Sequence, residues 1–289
     1  SSHCLTKSTS LDEQLRLSAE IWQRAITEHP PYAVVAMVSG GDDSITALSV
    51  ALALGIKIDC IGHGITRTGT IKTTQFVQTT ANNLGIPMIV ADAGDAYVNY
   101  LAEWGFFGRG RKAHTYAYHL LKAGPFRKMI SHNIRHRKRG RNVLLINGAR
   151  LSESENRRKN LDKPIDFDTS TKSNVWVSLI HHWSSGDCRQ WLHNEKVQRN
   201  PVSVAVGRSG ECMCGTMQCE ESYQELKAFD PEWGKRMDAL RIQTTQQHGW
   251  DWGQDIPKWK PQVNAGQMFL FQPMCRSCIA AQPMTEVMP

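Results

Sequence analysis

The chain contains no run of about 18 consecutive apolar residues, the minimum for a membrane-spanning helix, so a membrane role is not expected. Its first residues, Ser1-Ser2-His3-Cys4, show neither a Met nor the apolar core of a secretory signal, and a cytoplasmic location is the resulting expectation. Charge is not one-sided: 34 Lys and Arg against 27 Asp and Glu leave +7, too mild to identify a partner unless the cations cluster. Two nucleotide signatures are missing. There is no G-x-x-x-x-G-K-[ST] loop, and Gly62-His63-Gly64 is followed by Arg67 where a dinucleotide fingerprint needs a third Gly. No internal repeat is present. With 289 residues, 40% hydrophobic and 21% charged, the composition excludes a disordered chain and allows one large α/β domain with a smaller appendage.

What is present begins with a helix over residues 10–27, opened by Ser10 and Glu13 in capping-box spacing and carrying Leu11, Leu15, Trp22 and Ile26 on one face. Ala33-Val34-Val35-Ala36-Met37-Val38 is apolar at every position, as a strand covered on both faces must be. A helix over 45–54, a strand over 58–61, a helix over 71–84 stopped by Gly85, and strands over 86–90 and 143–146 follow. Strands alternating with helices predict a parallel sheet with helices on both faces, whose ligands sit beyond the carboxyl ends of the strands. Beyond residue 160 strand-like runs thin out and Trp, Cys, Gly and Pro dominate. A boundary is therefore expected between residues 1–169 and a Cys-rich, mainly helical region over 170–289.

The turn after the first strand is Ser39-Gly40-Gly41-Asp42-Asp43-Ser44. Small residues let backbone N–H groups approach phosphate oxygens, and the following helix points its positive end at the same place. Ser39 and Ser44 add hydroxyl donors, and Asp42 or Asp43 could help hold Mg²⁺. A Gly-rich strand-to-helix turn without a ligand would look the same over six residues. Arg150, after the fourth strand, is expected at the ligand end of the sheet, where a planar guanidinium can hold two phosphate oxygens. Arg157 and Arg158 could form a second clamp, and Glu153 could orient an Arg or the metal.

Residues 126–142 hold Arg127, Lys128, Arg135, Arg137, Lys138, Arg139 and Arg141 without one acid. Such a run suits a polyanion, because each neutralised phosphate releases counterions, although a solvated loop would carry the same charges. Trp104, Phe106 and Phe107 could offer stacking surfaces beside it or pack in the core. Five of the eight cysteines fall in the last third: Cys212-x-Cys214-x₄-Cys219, then Cys275-x₂-Cys278. Four thiolates suit either structural zinc or an iron–sulfur cluster, and spacing does not separate the two.

The loop Ser39–Ser44 resembles the S-G-G-x-D-S pyrophosphate loop of the PP-loop ATPases, which cleave ATP to AMP and pyrophosphate. Further segments are similar to the phosphoadenosine phosphosulfate (PAPS) reductase branch. Thr68-Gly69 through Phe76-Val77 resembles its T-G-x-x-x-P-E-T-x-x-F-V, with Lys72-Thr73 in place of Pro-Glu. Gly148-Ala149-Arg150 through Ser154, with Arg157, resembles G-x-R-x-x-E-S-x-x-R. Trp183 to Trp191 and Arg199-Asn200-Pro201 resemble W-x-x-x-D-V-W…N-P, with Cys188 in place of Val. Gly210-Glu211-Cys212-Met213-Cys214-Gly215 resembles a signature of the subgroup that includes the DndC and SspD proteins of bacterial DNA phosphorothioation.

The resemblance implies a Rossmann-like sheet of the adenine nucleotide α-hydrolase type. It implies ATP and Mg²⁺ held by Ser39, Gly40, Gly41, Asp42, Asp43, Ser44, Gly148, Arg150, Glu153 and Arg157, with Asp43, Ser44 and Arg150 in catalysis. It also implies a [4Fe–4S] cluster on Cys212, Cys214, Cys275 and Cys278, with Cys219 an alternate ligand or a sulfur-carrying thiol and zinc the alternative metal. The expected activity is activation of a DNA backbone phosphate for sulfur incorporation, with a cysteine desulfurase as sulfur donor and other DNA-modification proteins as partners. PAPS or adenylyl-sulfate reduction is disfavoured by the missing E-C-G after Cys278, whereas tRNA thiolation would make RNA the substrate. A degenerate nucleic-acid-binding module would not need the retained loop serines, glycines and acids. Neutralising Arg137, Lys138 and Arg139 together is expected to weaken DNA binding and to flatten its salt dependence by about three in the log–log slope; an unaltered slope in a salt titration would place the nucleic acid elsewhere.

Overall fold

A computed structural model describes residues 10–136, 140–153, 163–168 and 170–257. Six strands form one sheet in the order β3-β2-β1-β4-β6-β5. They are β1 (Ala33–Met37), β2 (Cys60–Ile65), β3 (Met88–Asp92), β4 (Val143–Asn147), β5 (Ile165–Phe167) and β6 (Asn174–Ser178). All neighbours run parallel except β5, which pairs antiparallel with β6 at the edge. All five residues of β1 are buried, as its unbroken apolar run requires of a central strand. Val34 and Ala36 face a core shared with α1 (Leu11–Glu28), α2 (Asp42–Ala53) and α3 (Ile71–Leu84). Val35 and Met37 face a second core with Met129, Ile130 and Ile134. Helical layers thus cover both faces, and the expected α/β class with a mostly parallel sheet is the one found.

Several boundaries are set by local chemistry. Ser10 caps α1 by accepting from the Glu13 N–H, and Gly85 closes α3 at φ +65°, a left-handed conformation that favours glycine. β3 begins two residues later than expected. The Ile86 N–H is spent on the Ala81 carbonyl at the helix end, and Pro87 has no N–H to give. Ile58 is buried but precedes β2, whose pairing with β1 starts at Val35–Cys60; apolarity there marks burial, not ladder.

Two strands are not foreshadowed by sequence pattern. β6 has polar ends, but these are satisfied inside the protein: Arg135 donates to the Asn174 side chain and Ser178 Oγ donates to Asn147 Oδ1 at 2.9 Å. The boundary expected at 169/170 falls inside the β5–β6 hairpin, so the sheet continues past it. The later helices α7 (Ser185–Asn194), α8 (Pro201–Val206), α9 (Glu220–Phe229) and α10 (Pro231–His248) follow.

Between β3 and β4 lies α4 (Ala96–Trp104), then a helical stretch from α5 (Arg111–Tyr118) through α6 (Gly124–Met129). π-helical turns at His119–Ala123 and Ile130–Ile134 interrupt this stretch. Such turns carry an i→i+5 hydrogen bond and so accommodate an extra residue. A third core joins α4 and Phe106–Phe107 to α9, α10, Trp250 and Trp252 around Met213 and Cys214. Trp250 and Trp252 each donate their indole N–H to a backbone carbonyl, of Phe106 and Met213 respectively. Both indoles thus share the core that holds Cys214, with Cys212 packed against it. Phe106 and Phe107 are each 1% exposed: they are core residues, not stacking surfaces. No helix among the described residues is long and apolar enough to cross a membrane.

Candidate nucleotide cleft and its thiol border

At the carboxyl ends of β1 and β4 a cleft of about 620 Å³ opens, lined by Ser39, Gly41, Asp42, Asp43, Ser44, Gly148 and Arg150 among others. The loop and Arg150 segments, more than 100 residues apart in sequence, therefore meet. Helix α2 starts at Asp42, three residues earlier than expected, with Gly41 as an N-cap that supplies no side-chain hydrogen bond. Its ladder begins when Ile45 N–H reaches the Gly41 carbonyl at 3.1 Å. Gly41 therefore leaves the N–H groups of the first turn uncapped at the cleft, together with the positive end of the helix dipole. Ser39 Oγ donates to Ser44 Oγ at 3.2 Å, and Ser44 Oγ donates to the Gly41 carbonyl at 2.9 Å, which fixes both hydroxyls at the rim.

Gly148 has a steric role. A Cβ placed there would lie 2.6 Å from the Asp43 carbonyl carbon and 2.7 Å from the Ser44 nitrogen. The β4 end thus packs directly on the backbone of the first α2 turn.

Both loop carboxylates are paired. Arg150 donates to Asp43 Oδ2 at 2.9 Å and to Ser152 Oγ at 2.8 Å. Arg199 grips both oxygens of Asp42, at 3.1 and 2.5 Å. Arg150 is 7% exposed and its Nε–H is buried without a partner among the described residues. Exchanging Asp43 for a phosphate would give that guanidinium the two-oxygen geometry it prefers. One or two carboxylates plus phosphate oxygens are the usual set for Mg²⁺, and Asp42 and Asp43 could supply them. No group of three or more His, Cys, Asp or Glu side chains suited to a metal occurs among the described residues. The side chain of Glu153 and all of Arg157 and Arg158 lie outside the described residues.

Across the cleft stand Tyr118, Lys122 and Phe126. Lys122 Nζ pairs with Glu211 Oε2 at 2.5 Å. Burial opposes the Lys122 charge, but Glu211 and the neighbouring thiols outweigh it, so its pKa is raised. The other Glu211 oxygen is buried and without a partner among the described residues. Glu211 leads directly into the cysteine pair. The adjoining Cys212 thiol, reinforced by the Thr216 hydroxyl 3.4 Å away and by Lys122, outweighs the cost of burial and lowers the pKa of Cys214, making it the more acidic thiol of the two. Two thiols two residues apart, one of them with a lowered pKa, fit half of a four-thiolate site. Cys275 and Cys278 lie outside the described residues. Cys219 is exposed and turned to Ser222 Oγ at 3.2 Å. Cys188, in the cleft wall beside Asp43, is buried and pushed up to about 12 by desolvation.

The basic run divides. Arg135, expected on a nucleic-acid surface, is instead 5% exposed and donates to the carbonyls of Arg141 and Ser173; it anchors the run to β6. Arg127 is held by both oxygens of Asp168 at 3.0 and 3.1 Å. Lys128 and Arg141 are exposed, Arg141 lying over the Tyr32 ring at 4.4 Å, and Arg137, Lys138 and Arg139 lie outside the described residues. Missed by sequence reasoning were Lys122, Glu211, Arg199, Asn200 and Ser203. Arg199-Asn200-Pro201 and Glu211 sat inside recognised segments, but nothing in their spacing assigned them a role.

A parallel α/β sheet with an uncapped helix start and a flanking arginine at its carboxyl edge is an arrangement able to hold a phosphate group. Residues 33–209 match the phosphoadenosine phosphosulfate reductase domain. That span is more than half of the chain, and the chain belongs to this family. No curated protein matches it. Solved structures resemble it distantly. A PAPS reductase from Candida auris, in a phosphate complex, shares 13% identity over 67% of this chain and 90% of its own, at a TM-score of 0.43. FMN adenylyltransferase from Candida glabrata with FMN and an ATP analogue shares 10% over 71% and 65%, at 0.49. The U34-tRNA thiolase of Methanococcus maripaludis, with its [4Fe–4S] cluster, shares 10% over 83% and 79%, at 0.43.

Gly148→Ala is expected to push the first turn of α2 out of place, costing about 1–3 kcal/mol of stability and at least tenfold in nucleotide affinity. Thermal unfolding together with ATP-binding calorimetry reads both, and wild-type affinity would show that the close packing does not shape the site.

Proposed function

We propose that the chain is a PP-loop ATPase that splits ATP to AMP and pyrophosphate and thereby activates a DNA backbone phosphate for sulfur incorporation. The observation that carries the ATP step is the uncapped start of α2 facing Arg150 across one cleft. In this reading a non-bridging phosphate oxygen attacks the α-phosphorus and pyrophosphate leaves. A sulfur nucleophile from a partner such as a cysteine desulfurase then displaces AMP. The loop N–H groups, Mg²⁺ at Asp42 or Asp43, and Arg150 stabilise charge on the leaving pyrophosphate, where fixed donors in a partly dry site count most. Arg150 would leave Asp43 to do so, freeing that carboxylate for the metal.

DNA is favoured as substrate by Lys128, Arg141 and the run Arg137–Arg139 on the same connection, and by the resemblance of residues 210–215 to the phosphorothioation subgroup. Cys212 and Cys214 would hold two corners of a [4Fe–4S] cluster, which when bound supplies electron transfer or an iron able to bind sulfur.

Ser39→Ala or Asp43→Ala is expected to lower pyrophosphate release by at least 100-fold, the scale of losing a fixed charge-stabilising donor, and to remove phosphorothioate from host DNA read by mass spectrometry. Unchanged pyrophosphate release would remove the loop as the site, whereas lost release with sulfur missing from tRNA instead of DNA would move the substrate to RNA. Protein purified without oxygen is expected to be brown, with visible absorbance bleached in Cys212→Ser and Cys214→Ser; a colourless, zinc-loaded preparation would replace the cluster by zinc.

A further inference from the structure

The turn Ser39–Ser44 is gripped from behind. The Gly40 carbonyl accepts two side-chain hydrogen bonds, from Asn200 Nδ2 at 3.0 Å and Ser203 Oγ at 3.1 Å. Both donors come from α8, where Asn200 is the N-cap and Ser203 lies in the first turn, and they are 1% and 5% exposed. Asn200 also donates to Thr73 Oγ1 at 3.2 Å, and Thr73 in turn donates to the Ser209 carbonyl. Gly40 sits at φ +82°, and a Cβ there would stand 2.7 Å from Thr73 Cγ2 and 3.1 Å from Asn200 Nδ2. The glycine conformation and the asparagine amide are therefore fitted to each other.

In a trans peptide unit the C=O and the N–H point in opposite directions, and no cis bond occurs among the described residues. Holding the Gly40 oxygen against α8 consequently aims the Gly41 N–H the other way, into the cleft that Gly41 lines. Among the described residues that N–H has an acceptor only in Ser39 Oγ at 3.4 Å, beyond the usual range for an N–H···O bond. It is a donor oriented in advance and weakly engaged, as an anion site requires.

We propose that Asn200 and Ser203 are positioning residues that preset the Gly41 N–H for a phosphate oxygen. The proposal rests on reading the cleft as a nucleotide site. The choice of side chain separates this role from helix capping. Asn200 Oδ1 accepts from the Val202 N–H at 3.1 Å, a task that Ser or Asp performs as well at an N-cap. Only the amide both caps α8 and donates to Gly40. Asn200→Ser keeps the cap, removes the long donor and adds no charge. Asn200→Asp keeps the cap and sets an acceptor against the Gly40 oxygen. Ser203→Ala removes the second donor alone.

The test measures inorganic pyrophosphate binding by calorimetry, and KM and kcat for ATP, on the full chain. Asn200→Ser is expected to bind pyrophosphate at least tenfold more weakly and Ser203→Ala about threefold more weakly, a fraction of the effect of losing a charge-stabilising donor outright. Circular dichroism should remain that of the wild type. A purely structural role would lower the unfolding temperature while leaving pyrophosphate affinity and KM of the folded fraction unchanged. Wild-type affinity in both Asn200→Ser and Ser203→Ala overturns the proposal. Should Asn200→Ser fail to fold, Ser203→Ala decides, with wild-type affinity again the refuting result. Wild-type protein that binds neither pyrophosphate nor ATP would instead remove the nucleotide reading, and this proposal with it.

Discussion

The molecule is organised around a helix start left without a cap. At most helix N-termini a Ser, Thr, Asp or Asn side chain satisfies one of the orphan N–H groups, as Ser10, Thr70, Ser184 and Asn200 do elsewhere in this chain. At α2 the capping position is Gly41, and the orphan donors face a cleft. Leaving them so costs stability that the surroundings offset. The helix is buried between β1, β4 and α7, and its first turn is pressed by Gly148. Capping it with a side chain would stabilise the fold and fill the site.

Three ion pairs lie at the cleft: Asp42 with Arg199, Asp43 with Arg150, and Glu211 with Lys122. In a partly buried setting an unpaired charge is expensive, so the arginines that a phosphate would attract need partners in its absence. The aspartates serve as those stand-ins. At these three pairs an incoming polyanion competes with an existing partner, which favours a ligand that also brings a metal to the released carboxylate.

Much of this was legible in the sequence because it depends on local rules. An apolar run before a Gly-rich turn gave β1 and its loop, Gly85 gave the end of α3, and Arg150 after β4 fell where parallel-sheet geometry puts it. What was not legible depends on contacts between distant segments. β6 hides because its ends, Asn174 and Ser178, are polar yet satisfied by Arg135 and Asn147. Arg135 looked like one charge among seven, yet it is a buried tie between the basic connection and the sheet. The acid that neutralises Arg127 is Asp168, 41 residues away, so the absence of acids within the run said little about its field. Lys122 and Glu211 are 89 residues apart, and no spacing rule could have joined them.

The wall carrying Tyr118, Lys122 and Phe126 is built on a helix that widens at His119–Ala123. An ordinary α-helix turns by about 100° per residue, so the surplus residue held in that wide turn sets the angular phase of everything after it. Removing one residue from the bulge would leave a smoother helix by every local criterion. It would also swing Phe126 about a quarter-turn away from the cleft. Length in this stretch is therefore under tighter constraint than residue identity, and relatives that share the cleft should tolerate substitutions there far better than deletions.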